Sequence, residues 1–424
     1  MKRKTFLWVA GSVVLIVIGV ALQYRIRASR DELDLQEQLR LARAEGLPTN
    51  AVEFMATIEP ASPAENAAPL YRHLKPLLRQ IGDTQAITNA FLRHPTSTNL
   101  FTARRLLTKA KPALDIIDQA AALPRCWFDR NWSEGLATLL PEYADMKAAS
   151  RLLALRGSIA AADSNEAGAL SNGQEILQIS KHSGEEGTEL SALVSEAIYL
   201  IDLHALADWC VLYPTIGAYR GALEKALKAQ PRPNLRRETR DRLWNVLSII
   251  DLSLTKGGRR DLGLKEDDVP VGPNLFSVIL SQAKARTAIV HAERDYWATL
   301  KLPHDQRGPR LEDAKTREGM NLLAFPVAAQ IHYQLGVGDD HVQDREPDWQ
   351  ARQLEYTAVL RALPSGAVAR SIKTSDLKSP YDGKPLTYRF DGEQIHITIN
   401  GSDPSSPTRL TIPPDELKRQ ASKP

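Results

Sequence analysis

Cysteine is nearly absent from this chain: Cys126 and Cys210 are its only two, which excludes a scaffold built on disulfides. Neither sign of charge is in excess. The 54 basic residues against 51 acidic ones leave +3, and Lys2, Arg3 and Lys4 alone supply those three units. The remainder is close to neutral and interleaves acids with bases, as in Arg220 to Gln230 (RGALEKALKAQ). A nucleic-acid partner needs Lys and Arg gathered on one face, so none is expected. Also missing are a Walker-type glycine loop, a Gly-x-Ser-x-Gly elbow, a His-Glu-x-x-His pair and a Cys-x-x-Cys pair. No cofactor or metal is therefore expected, and no catalytic residue can be named.

What the chain does have is one long charge-free run. Phe6 to Leu22 (FLWVAGSVVLIVIGVAL) lies between Lys2-Arg3-Lys4 and the trio Arg25, Arg27 and Arg30. A bilayer core of about 30 Å takes roughly 20 helical residues, with about 17 as the lower limit. This run meets that limit and exceeds the apolar core of an ordinary secretory signal, although Gly19-Val20-Ala21 offers small residues for cleavage. Trp8 and Tyr24 stand where interfacial aromatics belong, and the trailing arginines can snorkel. A retained transmembrane signal-anchor is expected, in preference to a cleaved signal or a buried core helix. The two flanks carry equal Lys and Arg, so orientation rests on the free N-terminal amine and the short leading tail. The expectation is a single-pass protein of the cell inner or plasma membrane, N-terminus cytoplasmic and body extracytoplasmic, with the lipid bilayer as partner through Phe6 to Leu22.

Hydrophobic residues make up 43% of the chain, enough for a large core. The expected class is mostly α, a helical-hairpin bundle or array with a small C-terminal antiparallel β element. The expected divisions are an anchor at 1–30, a stalk and linker at 31–66, a helical body at 67–365 and a β-hairpin element with tail at 366–424. Helices are expected at Ala67 to Ile81 and Thr98 to Leu123. The clearest helical period runs from Asp145 to Ala162, turns at Asp163-Ser164-Asn165, and resumes from Glu166 to His182. A loop at Ser183 to Gly187 leads to a third helix from Glu189 to Val211 and, after Pro214, a fourth from Gly217 to Lys228. The hairpin period is close to that of tetratricopeptide arrays but lacks their Trp-Leu-Gly-Tyr spacing. Further helices are expected at Leu235 to Leu254, Asn274 to Leu300, Leu311 to Leu335 and Asp348 to Leu363. The period changes at Leu386 to Phe390, Asp391-Gly392 and Glu393 to Asn400, a hairpin pattern that puts Ile395, Ile397 and Ile399 on one face. Arg409 to Ile412 is a candidate third strand.

Several clusters combine residue types that could carry chemistry. Arg232 to Arg242 (RPNLRRETRDR) contains Glu238 and Asp241 and reads as a solvated helix start. His332, Asp339, Asp340 and His341 read as a glycine-capped helix end and an acidic loop, short of the converging donors a metal needs. Glu185-Glu186 reads as a loop pair without an apolar neighbour to raise a pKa. Cys126 and Cys210 are a candidate disulfide in an oxidising compartment, or two small buried hydrophobes. Trp127, Phe128 and Trp132 crowd one short segment, as interface residues or as plugs between helices.

Ser379-Pro380-Tyr381-Asp382-Gly383-Lys384-Pro385-Leu386-Thr387-Tyr388-Arg389, with the hairpin and Asn400-Gly401-Ser402-Asp403 behind it, resembles a C-terminal element of uncharacterised membrane-anchored helical bacterial proteins. It is also distantly similar to the β-region of type II secretion pseudopilins, which likewise begin with an apolar helix. That second resemblance implies a secretion-assembly role and a calcium-holding final loop. Here Thr5 precedes Phe6, the apolar run holds no Glu, and Asp382 and Asp403 are too few oxygens for calcium. The function expected is an interaction or assembly module with a protein partner of unknown identity. The alternatives are an anchored envelope enzyme with its site between helical layers, and a pseudopilin-like component.

Overall fold

No glycine or proline occurs between Val20 and Ala44, and the backbone there is one uninterrupted helix, α1, spanning Lys2–Ala44. The computed structural model describes residues 2–82, 97–132, 140–212, 240–253, 282–302, 345–362, 370–391, 394–399 and 408–411, with isolated positions 221, 224, 225, 228 and 307; for residues 2–17 it describes backbone alone. These residues are mostly helical with one small antiparallel sheet. They divide into two compact units, one drawn from 1–57, 132–138 and 240–343, the other from 58–131, 139–239 and 344–424.

In the first unit, α1 ends at Gly46, which adopts a φ of 88° as a C-terminal glycine does. Leu35, Gln38 and Ala42 recur at three and four residues and are buried, the stripe of an amphipathic helix. The short helix α2 (Ala51–Met55) follows, capped by the Asn50 side chain accepting from Glu53 N–H. Glu53 in turn accepts from the Thr49 backbone and from Arg43 at 2.7 Å. Phe54 of α2 packs edge-on against Trp132, centroids 5.3 Å apart, and tilted against Trp244 at 5.6 Å. Helices α9 (Arg242–Ser253) and α10 (Gln282–Thr299) also belong to the unit. The C-terminal ends of α1 and α10 meet: Arg294 pairs with Glu45 and donates to Gln38 at 2.5 Å, and Trp297 Nε1 donates to the Glu45 carbonyl at 3.0 Å.

In the second unit, α3 (Ala68–Arg72), α4 (Leu74–Ile81) and α5 (Ser97–Ala121) lie against α6 (Glu142–Ala162), α7 (Glu166–Gly184) and α8 (Glu189–Leu212). The turn between α6 and α7 is local chemistry. Ser164 takes a φ of 56° and Asn165 caps α7 by accepting from Gly168 N–H at 3.0 Å. Thr188 and Ser191 cap α8 reciprocally, each backbone N–H donating to the other's hydroxyl. Arg156 of α6 ties three helices, forking onto Asp118 of α5 and reaching Glu175 and Asn172 of α7. Bidentate geometry of this kind is among the stronger ion-pair arrangements.

Helix α11 (Arg345–Ala362) and the sheet β1 (Thr387–Phe390), β2 (Gln394–Thr398) and β3 (Thr408–Thr411) close the unit, in order β1-β2-β3. Phe390 faces Ile395 and Ile395 faces Leu410. Alternation puts Ile395, Ile397 and Ile399 on the core side, all fully buried beside Leu377, Leu386 and Ala358. Before the sheet, Gly383 at φ 70° tightens a turn in which Ser379 N–H donates to the Lys384 carbonyl at 2.7 Å and Asp382 accepts from Lys384 N–H.

The expected helices at Gly217 to Lys228 and Leu311 to Leu335 lie largely or wholly outside the described residues. Arg242, read as the solvated end of a basic cluster, is buried. It pairs with Glu293 at 2.9 Å and lies 4.8 Å over the Tyr296 ring, so its charge is matched across helices rather than by water.

Candidate functional site: a sealed arginine–glutamate cluster

The segment Leu123–Trp132 has no regular structure of its own, and side chains from elsewhere satisfy its backbone. Asn66 accepts from Trp127 N–H and donates to its carbonyl, both at 2.8 Å, so one amide imitates a strand partner. Glu185 accepts from Cys126 N–H at 2.8 Å and from Arg125 at 3.1 Å. His182 and Gln178 on α7 both donate to the Leu123 carbonyl at 2.9 Å. An irregular buried segment needs such partners, because an unpaired buried amide costs about as much as a lost hydrogen bond.

At the centre stands Arg130, whose side chain is 4% exposed. It donates to Glu186 at 2.6 Å and to Glu142 at 2.9 Å. Its guanidinium lies 4.5 Å over the Phe128 ring and 5.5 Å from the Tyr143 ring, a cation–π arrangement strengthened by exclusion of water. Tyr143 O–H donates to the second Glu186 oxygen. Arg72 reaches the other Glu142 oxygen at 3.3 Å and the Asp129 carbonyl at 3.1 Å.

Burial pushes the Glu186 carboxyl up, against the pull of Arg130 and Tyr143. For Glu142 burial acts the same way but loses: its own backbone N–H, Arg130 and Arg72 hold it below the usual range. Burial also drives the Tyr143 hydroxyl and the Cys126 thiol well up. A thiol held neutral in this way is a packing group and not a nucleophile. Beside it, Tyr71 O–H donates to His182 Nδ1 at 2.9 Å, leaving Nε2–H for the Leu123 carbonyl and fixing the tautomer. Burial lowers His182 to about 4, so it is neutral at ordinary pH. Arg130, Glu142 and Glu186 are enclosed, and the arrangement fastens the 123–132 segment to the start of α6 and the end of α7.

The Glu185-Glu186 pair is thus the reverse of the solvated loop pair that its sequence suggests. Its apolar and aromatic neighbours come from Cys126, Phe128 and Tyr143, distant in sequence. Phe128 is buried in the second unit, Trp132 in the core of the first, and Trp127 is partly exposed. Cys126 is a free buried thiol; Cys210 lies on α8 with its side chain outside the described residues. His332, Asp339, Asp340 and His341 also lie outside them, and among the described residues no group of three metal-ligating side chains occurs.

A second site was not legible in sequence. Asp202 of α8 is fully buried, and neither carboxylate oxygen has a partner among the described residues. It lies against α7, where a side chain added at Gly173 would come 3.1 Å from Oδ1. Burial alone drives its pKa far above the usual value. Two turns on, burial raises the partly exposed Asp208 to about 7.

Among the described residues no helix is long and apolar enough to cross a membrane; most of Phe6 to Leu22 precedes Ile18, where side-chain description begins. No family model, curated protein or solved structure matches the chain.

Proposed function

We propose that this is a single-pass membrane protein, N-terminus cytoplasmic, whose extracytoplasmic helical body serves as an interaction or assembly module. The observation that carries the anchor is the exposure of α1. From Ile18 to Ile26 no side chain is buried, and Ile18, Val20 and Leu22 are 56%, 61% and 60% exposed. Contiguous apolar surface of this kind requires a cover, and lipid is the cover that matches the charge-free run before it. Support for the module reading comes from the stacked hairpins α6 to α8 and from Phe101 and Leu190, which remain exposed on the second unit. Stacked helical hairpins offer extended surfaces to partners.

An anchored enzyme is the second reading. One observation favours it: a half-buried carboxyl, Asp208, held near 7 is suited to general acid–base work. A pseudopilin-like role rests on the C-terminal element alone.

Protease protection with an epitope tag at each terminus tests the anchor. In spheroplasts, external protease is expected to remove the C-terminal tag while the full-length chain fractionates with membranes. Protection of that tag in sealed spheroplasts, or release of a soluble chain without its N-terminal tag, overturns it.

A further inference from the structure

The charge on the exposed part of α1 reverses sharply within three turns. Arg25, Arg27 and Arg30 are all exposed, and Glu32 and Asp34 follow, also exposed, with Asp31 half-buried. At about 100° per residue Arg25 projects from one side of the helix and Arg27 and Arg30 from the other. The three therefore ring the helix. Their axial spread is about 7 Å at 1.5 Å per residue, close to the roughly 5–8 Å depth of the headgroup layer on one side of a bilayer. Tyr24, 44% exposed, stands between the last apolar residue and the first arginine, the level at which an amphipathic ring is stable.

Resting on the anchored reading, we infer that Arg25, Arg27 and Arg30 form a collar that binds phospholipids with anionic headgroups, and that the acidic turn after it sets the depth of α1. The occupant is argued from charge complementarity and from continuity with the apolar run. An arginine ring at headgroup level gains by pairing with phosphates, about fivefold in local affinity per residue near an anionic surface. Glu32 and Asp34, two and four residues past Arg30, are repelled by the same surface and resist deeper insertion. Packing against the rest of the first unit sets in here: Ala28 and Asp31 are half-buried and Leu35 is fully buried on the side that enters its core. The packed face of α1 thus begins within the last turn of the collar.

The full chain is reconstituted in vesicles of phosphatidylcholine, with and without phosphatidylglycerol, carrying a fluorophore on Ile26→Cys; the unsubstituted chain, with Cys126 buried, gives the labelling background. Quenching by brominated phosphatidylglycerol against brominated phosphatidylcholine reports which lipid contacts the helix. The expected preference for the anionic lipid is fivefold or more, and it disappears in the Arg25→Gln/Arg27→Gln/Arg30→Gln chain while that chain stays in the vesicle fraction. Equal quenching by the two lipids in the unsubstituted-collar chain, or a preference that survives loss of the arginines, overturns the collar and leaves the anchor intact. Failure of both chains to remain with vesicles through an alkaline wash overturns the anchor and the collar together.

Discussion

The indole of Trp209 on α8 occupies the space that a side chain at position 157 of α6 would fill. A Cβ built on Gly157 falls inside contact distance of the ring carbons Cζ2 and Cη2 and 3.2 Å from the Asn172 Cβ, while Trp209 Nε1 donates to the neighbouring Ser158 hydroxyl at 2.7 Å. The ring is fully buried, so it has nowhere to retreat.

Gly157→Ala sets two effects against each other. Alanine in a helix interior gains up to about 1 kcal/mol over glycine, whereas overpacking a dense core costs about 1–3 kcal/mol. The clash is with a rigid ring held by a hydrogen bond, so a net loss of stability is expected in denaturant unfolding. A Gly157→Ala chain more stable than the parent, showing the helix-propensity gain with no packing cost, refutes the close approach.

Arg130→Met leaves Glu142 and Glu186 buried without their shared cation. Breaking a buried pair in this way costs about 3–5 kcal/mol. Adding Glu142→Gln and Glu186→Gln removes the stranded Glu186 charge and the Glu142 charge that only Arg72 then holds, and most of the loss is expected to return. If the triple variant is no more stable than Arg130→Met alone, the cluster is not an electrostatic unit.

For Asp202 the folded pKa lies above the unfolded value, because burial disfavours the charged form. Its contribution to stability is complete below about pH 3.9 and declines as pH rises, by up to about 1.4 kcal/mol per unit until the folded pKa is passed. Asp202→Asn cannot ionise. Its stability relative to the parent should therefore grow as pH rises above about 4, as read by chemical denaturation at a series of pH values. A constant difference across that range excludes a buried titrating carboxyl.

His182 works in the opposite direction. Its pKa is lowered from 6.5 to about 4 by burial, so its contribution is present above about pH 6.5 and is lost as pH falls toward 4, reaching about 3 kcal/mol. In His182→Gln this acid-side slope should flatten. The Tyr71 hydroxyl then faces an amide instead of an imidazole, and a parallel loss of about 1 kcal/mol at neutral pH is expected for the exchanged hydrogen bond.

What could be read in advance follows the range of the interactions. The α6–α7 turn was legible because Asp163, Ser164 and Asn165 make it with their own backbone and cap. The buried ladder of Ile395, Ile397 and Ile399 was legible because alternation in a strand is a two-residue rule. Glu186 was not, since its partners Arg130 and Tyr143 lie 56 and 43 residues away and only the folded chain brings them to it. Asp202 failed for a different reason. Ile198, Tyr199, Leu203, Leu206 and Trp209 around it are all buried, and Glu196, His204 and Asp208 mark a polar side of the helix away from it, so Asp202 sits where the pattern calls for an apolar residue.

The unbroken backbone of α1 carries a mechanical consequence. Helices bend sharply at proline, at glycine or at inserted bulges, and between Val20 and Ala44 the sequence offers neither residue. The Arg294 and Trp297 bonds to Glu45 then clamp its far end to α10. In the anchored reading proposed above, a shaft held in lipid at its apolar end carries the first unit with it, so that unit turns only as the shaft turns. On that proposal its search for a partner is two-dimensional diffusion with one face presented, and a binding event that twists the unit delivers torque to the segment in the bilayer.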